Sequence, residues 1–185
     1  MIIGVDIDNV IADTEKELRR VLYEKRGVTL KREDITSYSL DNIAGIERED
    51  LKEILSMFND GDVFLNLDVI EGAKETLDLL KQRHRIELVT SRPQRAEPQT
   101  RQWLERHGIP YDELHFVTES KLNGITYELF FEDQEKFACE LAEEGSYVLL
   151  FDAPWNRHVE HDNMSRVFSW ADVYKFCFPP CATGH

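Results

Sequence analysis

Asp6 and Asp8 stand one residue apart where the apolar run Ile2-Ile3-Gly4-Val5 stops. In an extended segment alternate side chains point the same way, so both carboxylates face one spot while Ile7 faces the core. Two acids converging at a strand end are costly unless a cation or a reaction uses them. Matching groups recur further along: Thr90, Ser91 and Arg92 end a second apolar run, Lys121 sits in a later loop, and Glu132-Asp133 close another run. Phosphoryl chemistry needs this mixture: a nucleophile, hydroxyl and backbone donors for the phosphoryl oxygens, a fixed cation, and a metal to quench repulsion between two anions. Aspartate can be that nucleophile, forming an aspartyl-phosphate that water cleaves. A hard divalent ion held by a few carboxylates, water and phosphate oxygen is the habit of magnesium.

Each residue also has a plainer reading. Asp6, Asp8 and Asn9 could supply turn chemistry at a strand-to-loop junction, and Thr90 and Ser91 could cap the turn before Pro93. Lys121 alone reads as a solvated surface charge, and Arg92 as either a phosphate clamp or a salt-bridge partner. Placement favours the shared site, because the carboxyl ends of parallel strands lie along one edge of an open α/β sheet, where ligands bind.

The elements that must do this positioning are legible as periodic segments. After the first strand, Asp13 or Thr14 caps a predicted helix through about Arg26, with Gly27 as its stop. A polar segment (31–40), a helix (47–58) and the turn 59–62 follow, and these read as an insertion. From Gly72 the pattern alternates: helix 72–83, strand 85–90, a helix from Pro98 to Gly108, strands 114–117 and 129–132, helix 134–144, and strand 147–151. About five strands alternating with helices predict an α/β fold, a three-layer α/β/α sandwich with a mostly parallel sheet. Residues 1–14 and 72–178 form its core, 15–71 a small helical cap inserted after the first strand, and 179–185 a tail.

Bulk composition narrows the partners. Among 185 residues, 22 Lys and Arg face 36 Asp and Glu, a net charge of -14 that argues against a nucleic-acid polymer or an anionic membrane as partner. Any anionic substrate must be drawn by a local positive site. No stretch approaches the roughly 18 apolar residues of a membrane span, and the amino terminus has no basic leader, so a cytoplasmic location is expected. Cys139, Cys177 and Cys181 lack a metal-binding CxxC and read as reduced thiols; His158 and His161 read as surface residues. Tyr38, Phe58 and Phe64 read either as a small core of the insertion or as faces on which a base stacks. A homodimer is compatible with all of this.

Taken together, Gly4-Val5-Asp6-Ile7-Asp8-Asn9-Val10, Leu88-Val89-Thr90-Ser91-Arg92, Lys121 and Phe130-Phe131-Glu132-Asp133 resemble the four ordered motifs of the haloacid dehalogenase (HAD) superfamily. The D-x-D-x-V start, the helical insertion and the closing Leu149-Leu150-Phe151-Asp152-Ala153-Pro154-Trp155-Asn156 resemble, more narrowly, the cytosolic 5′(3′)-deoxyribonucleotidase family and its bacterial relatives. The resemblance implies that Asp6 is the nucleophile and a metal ligand. It makes Asp8 the acid that protonates the leaving alcohol and then the base that activates water, with its backbone carbonyl on the metal. Thr90, helped by Ser91, would bind the phosphoryl oxygens, and Lys121 would balance charge between Asp6 and phosphate. Asp133 would ligate Mg²⁺ directly, with Glu132 as its neighbour or water-mediated partner. The chain departs from the pattern at Asn9, where many relatives have Gly or Thr and where backbone N–H is expected to matter most. It departs again at Glu132, in place of a commoner Asp. The implied substrate is a small phosphorylated metabolite, a nucleoside monophosphate foremost. Two alternatives stand beside it: a phosphatase of a sugar phosphate or other metabolite, and a binding or regulatory protein whose site is idle.

Overall fold

The apolar run that opens the chain forms β1 (Ile2–Val5), and every other strand lies parallel to it or to its neighbours. The structure, a computed structural model, describes residues 1–37, 46–59 and 62–180. On one side of β1 lie β2 (Arg85–Thr90) and β3 (Glu113–Phe116); on the other lie β4 (Leu129–Glu132), β5 (Tyr147–Phe151) and β6 (Met164–Val167). The order β3-β2-β1-β4-β5-β6 means that the chain winds outward from β1, returns, and continues from its other edge. The crevice between the carboxyl ends of β1 and β4 is therefore the switch point at which ligands bind in such sheets.

Helices α1 (Thr14–Arg26), α2 (Arg48–Asn59), α3 (Ala73–Lys81), α4 (Glu97–His107), α5 (Glu135–Glu143) and α6 (Trp170–Cys177) complete the fold. Alternation along the strands splits the core in two. Ile3, Val5, Ile86, Leu88, Leu129, Phe131, Leu149 and Phe151 pack against α3, α4 and α6, while Val89, Phe130, Val148 and Leu150 pack against α5. The predicted α/β/α layering is thus observed. The strand count differs from the expected five, because β6 adds a sixth. Its sequence Met-Ser-Arg-Val has no apolar alternation; it owes its place to hydrogen bonds along the free edge of β5.

Gly4 shows how closely the central strands approach. It pairs with Phe130 of β4, whose buried ring lies over it so closely that a Cβ at Gly4 would sit 2.2 Å from Phe130 Cδ2. Gly4→Ala is expected to destabilise the fold by about 1–3 kcal/mol through overpacking, which chemical denaturation measures directly.

Between β1 and β2, α1 packs Leu18, Val21 and Leu22 on Ile35 and Ile54, and also on Ala153 and Trp155 beyond β5. Val63, Phe64 and Leu67 join the core under α4, where the Trp103 indole donates to Leu67 O at 2.8 Å. Parts of the expected segments 31–40 and 59–62, together with Tyr38 and Cys181, lie outside the described residues. Among the described residues no helix is long and apolar enough to cross a membrane.

Candidate active site

After Val5 the backbone folds into a tight loop that ends at α1. Ile11 and Ala12 both donate to Ile7 O, at 2.9 and 2.8 Å, and Asn9 N–H donates to Ala12 O at 2.7 Å. Asn9 has φ +59°, a left-handed conformation that asparagine tolerates better than most residues. Neighbours anchor the loop from outside: Asp6 N–H donates to Phe131 O at 2.9 Å, and the buried Trp170 indole donates to Val10 O at 2.7 Å.

Two expectations about this loop meet the structure differently. The Asn9 backbone N–H is spent on Ala12. Its side chain bridges instead, with Oδ1 accepting from Glu15 N–H at 2.8 Å and Nδ2 donating to Asp133 Oδ2 at 3.1 Å. The second concerns the cap of α1, where Asp13 holds the N-cap position as expected but without a side-chain bond, and the Asn9 side-chain oxygen satisfies the first turn from across the loop.

Beneath the loop, the strand ends bring three acids and one lysine together. Lys121, from the loop between β3 and β4, is fully buried, with Nζ 2.8 Å from Asp6 Oδ1 and 2.7 Å from Glu132 Oε2. The Phe137 ring lies 4.9 Å from the same ammonium and gives it an aromatic face to rest on. Glu132 is further occupied by the N–H groups of Asp133 and Gln134, both 3.0 Å from Oε1. Asp6, Glu132 and Asp133, all buried, each present an oxygen within 4.8 Å of the others. Asp6 Oδ1 meets Lys121 as an ion pair without hydrogen-bond alignment, and it is a buried oxygen with no hydrogen-bond partner among the described residues.

The donor set is all carboxylate oxygen, the kind that hard divalent cations prefer. With all three carboxyls ionised, Lys121 offsets one negative charge and leaves two, the charge of such a cation. Burial pushes the Asp6 carboxyl up to about 7; Lys121 opposes this, and Glu132 and Asp8 add to it. Asp133 is raised well above the ordinary range, chiefly by burial and then by Glu132 and Asp6. Burial works against the Lys121 ammonium too, yet Asp6 and Glu132 hold it charged above the ordinary lysine range. A cation among these oxygens would relieve the strain they place on one another. Glu132, filled by Lys121 and two amides, is the least free of the three to turn toward it.

Asp8 behaves differently. Its carboxylate accepts Arg92 Nε at 2.9 Å through Oδ2 and Nη2 at 2.8 Å through Oδ1, with the Thr14 hydroxyl also on Oδ1. Of the two readings of Arg92, the salt bridge is the one observed. Burial alone would raise the Asp8 carboxyl, but Arg92 and Thr14 pull it below the usual carboxylate range. Thr90 ends β2, is fully buried, and accepts Arg92 N–H on Oγ1 at 3.1 Å. Ser91 is exposed and lines, with Asp8, Asn9 and Arg92, a cavity of about 470 Å³. The rest of its wall is largely apolar, including Leu18, Leu55, Phe58, Phe64 and Trp155. Phe58 and Phe64 meet edge to face, with ring centroids 6.1 Å apart. His158 lies on the surface beside Glu135, away from this cavity's lining.

Nearly the whole chain matches a known family. The family model of 5′ nucleotidase, deoxy (pyrimidine), cytosolic type C proteins aligns with residues 1–179. The chain belongs to this family. Among its relatives, a nucleotidase of Clostridium acetobutylicum is 30% identical over 180 residues, covering 93% of this chain and 91% of that protein. A Chlorobaculum tepidum protein, provisionally named a 5′(3′)-deoxyribonucleotidase, is 31% identical over 185 residues and covers 94% and 88%. A haloacid dehalogenase-like hydrolase of Streptococcus pneumoniae has a similar fold, with TM-score 0.65 and 10% identity over 95% of this chain and 97% of that one. This chain is accordingly a hydrolase of the type C nucleotidase family on a HAD-like fold.

Within the nucleotidase framework, the structure adds residues to which the sequence attaches no role. Asn156 Nδ2 donates to Asp133 O at 2.7 Å and Phe151 O at 2.8 Å, and the Trp155 indole donates to Asp133 O at 3.1 Å. Asn156 Oδ1 accepts Ala153 N–H and Arg166 Nη1, at 3.1 and 2.7 Å, so the fully buried amide locks the β5–β6 loop against the acid cluster. Ala153-Pro154-Trp155-Asn156 is visible as a motif in the sequence, but only as part of a family resemblance.

Proposed function

We propose that this chain hydrolyses phosphomonoesters in two steps through phosphorylated Asp6, with Mg²⁺ as cofactor and nucleoside monophosphates as substrates. The observation that carries the proposal is the buried contact of Asp6 with Lys121, 2.8 Å, inside a carboxylate cluster at the β1–β4 switch point. A Mg²⁺ ion held by Asp6 and Asp133, with the Asp8 carbonyl, would supply the positive charge that lets a phosphoryl dianion approach a carboxylate.

In the first step an Asp6 oxygen forms a bond to phosphorus, the ester P–O bond breaks, and Asp8 gives its proton to the departing alkoxide. In the second, water attacks phosphorus, Asp8 takes its proton, and the bond to Asp6 breaks to release inorganic phosphate. Lys121 and the Thr90 hydroxyl, helped by Ser91, steady the phosphoryl oxygens. Asp8 is held ionised by Arg92 without substrate, which suits its part as base. A phosphoryl dianion beside it raises its carboxyl again and so lets it carry the first proton. The alcohol moiety occupies the aromatic-walled cavity, a volume of about 470 Å³ within the usual range of small-molecule sites. The helical segment between β1 and β2 acts as a cap that keeps bulk water from the first step.

Turnover of p-nitrophenyl phosphate and of a panel of nucleoside and sugar monophosphates, with Mg²⁺ and with chelator, tests the reading. Metal-dependent turnover with nucleoside monophosphates preferred is the expected result. Preference for sugar phosphates overturns the substrate class, and no turnover at all overturns the enzyme.

The metal also links to pH. Protons and Mg²⁺ compete for Asp6, whose carboxyl stands at about 7. Asp133, raised as well, is contested in the same way, so calorimetric Mg²⁺ affinity is expected to rise with pH through neutrality, by up to about tenfold per pH unit for each carboxyl that must lose a proton. In the metal-free protein the sign is reversed. The fold keeps the Asp6 proton between its ordinary value, 3.8, and about 7, so stability from this group falls as pH rises through that window.

A further inference from the structure

We propose that Arg92 is a positioning residue that selects which oxygen of Asp8 exchanges the proton with substrate and ties that choice to the cavity wall through Phe64. The inference rests on the acid and base roles given to Asp8 above. An ionised carboxylate offers about four acceptor positions. On Oδ1 both are taken, by Arg92 Nη2 at 2.8 Å and by the Thr14 hydroxyl. On Oδ2 one is taken, by Arg92 Nε at 2.9 Å. Among the described residues a single position on Oδ2 is left for a leaving oxygen or an incoming water.

The guanidinium cannot swing to another pose without losing several contacts at once. Its third nitrogen donates to the fully buried Thr100 hydroxyl at 3.2 Å, its face lies 3.9 Å from the Phe64 ring centroid, and its side chain is 1% exposed. The edge that would fork onto a phosphate is already committed to Asp8, so Arg92 does not serve as a bidentate phosphate clamp. Phe64 lines the cavity and touches Phe58, so a substrate that shifts this wall also shifts the plane of Arg92, and with it the open position on Asp8.

The test compares two leaving groups in the Mg²⁺-loaded enzyme. A nucleoside monophosphate releases a strongly basic alkoxide that needs a proton, whereas p-nitrophenyl phosphate releases a weakly basic phenolate that does not. A positioned acid contributes about 10²–10⁴-fold, and only to the first substrate. Arg92→Lys keeps the charge and loses the fork. It is expected to raise the ratio of kcat/KM for aryl over alkyl ester by at least about tenfold, through kcat rather than KM. Thr100→Val, which leaves the ion pair in place, is expected to raise it about threefold.

An equal loss of kcat/KM on both substrates, or a rise in KM with kcat kept, overturns the proposal. If Arg92→Lys fails to fold by circular dichroism, Thr100→Val decides, and an unchanged ratio overturns it. Asp8→Asn separates the two levels of the reading. If that change spares the alkyl substrate as much as the aryl one, Asp8 is not the acid, and the role of Arg92 falls with it. If Asp8→Asn is selective and the Arg92 and Thr100 variants are not, only the positioning role fails.

Discussion

Asp6→Asn is expected to lower kcat by at least about 10⁴-fold while leaving the protein folded, because an amide oxygen cannot form the acyl phosphate. The structure adds a second, less obvious half to this result. Asp6 is a carboxyl that the fold pushes up to about 7. At pH 8 the metal-free protein therefore holds an anion that burial and two neighbouring carboxylates disfavour, and the amide removes it. The melting temperature of Asp6→Asn at that pH is expected to equal or exceed that of the parent. Added Mg²⁺ is expected to stabilise the parent more than the variant, since the variant lacks a proposed ligand. Thermal melts with and without Mg²⁺ check both statements. Retained turnover would remove Asp6 as nucleophile, and a melting temperature well below the parent's would mean that its ionised carboxylate supports the fold.

Lys121→Met is expected to damage both stability and catalysis. Methionine fills similar space but leaves Asp6 and Glu132 as buried carboxylates without the ammonium that now lies 2.8 and 2.7 Å away. Removing one member of a buried ion pair costs about 3–5 kcal/mol, which lowers the melting temperature of a domain this size by roughly 6–20 °C. In the proposed mechanism Lys121 is a donor to the phosphoryl group, and its loss is expected to reduce kcat by about 10²–10³-fold. Mg²⁺ should recover part of the stability, because it neutralises the same oxygens, but not the rate. Wild-type melting and activity in Lys121→Met would return this residue to the plain reading of a surface charge.

The residue types of the site and the strands that carry them are legible in the sequence itself. Asp6 and Asp8 stop an apolar run, Thr90 and Glu132-Asp133 stop two others, and β2, β4 and β5 fall at the residues that alternation and β-branching predict. Gly27, at φ +67°, ends α1 where the pattern places its stop. Lys121 carried almost no signal of its own, and only its order among the motifs singled it out. β6 is not legible in the sequence because its four residues contain no periodicity, and the edge of β5 recruits them by backbone pairing alone.

Local pattern determines which residues leave a strand end and in which direction, because period and side-chain alternation are properties of a short backbone segment. It does not determine which of several available partners each charge takes. Arg92 had a phosphate and a carboxylate open to it, and the tertiary structure chose Asp8, 84 residues away, by stacking the guanidinium between that carboxylate, Thr100 and Phe64. Asn9 likewise became a bridge to Asp133, 124 residues away, and Asn156 a lock on that same residue's carbonyl. These choices follow from β1 and β4 lying side by side, a neighbour relation set by packing the whole sheet between two helical layers.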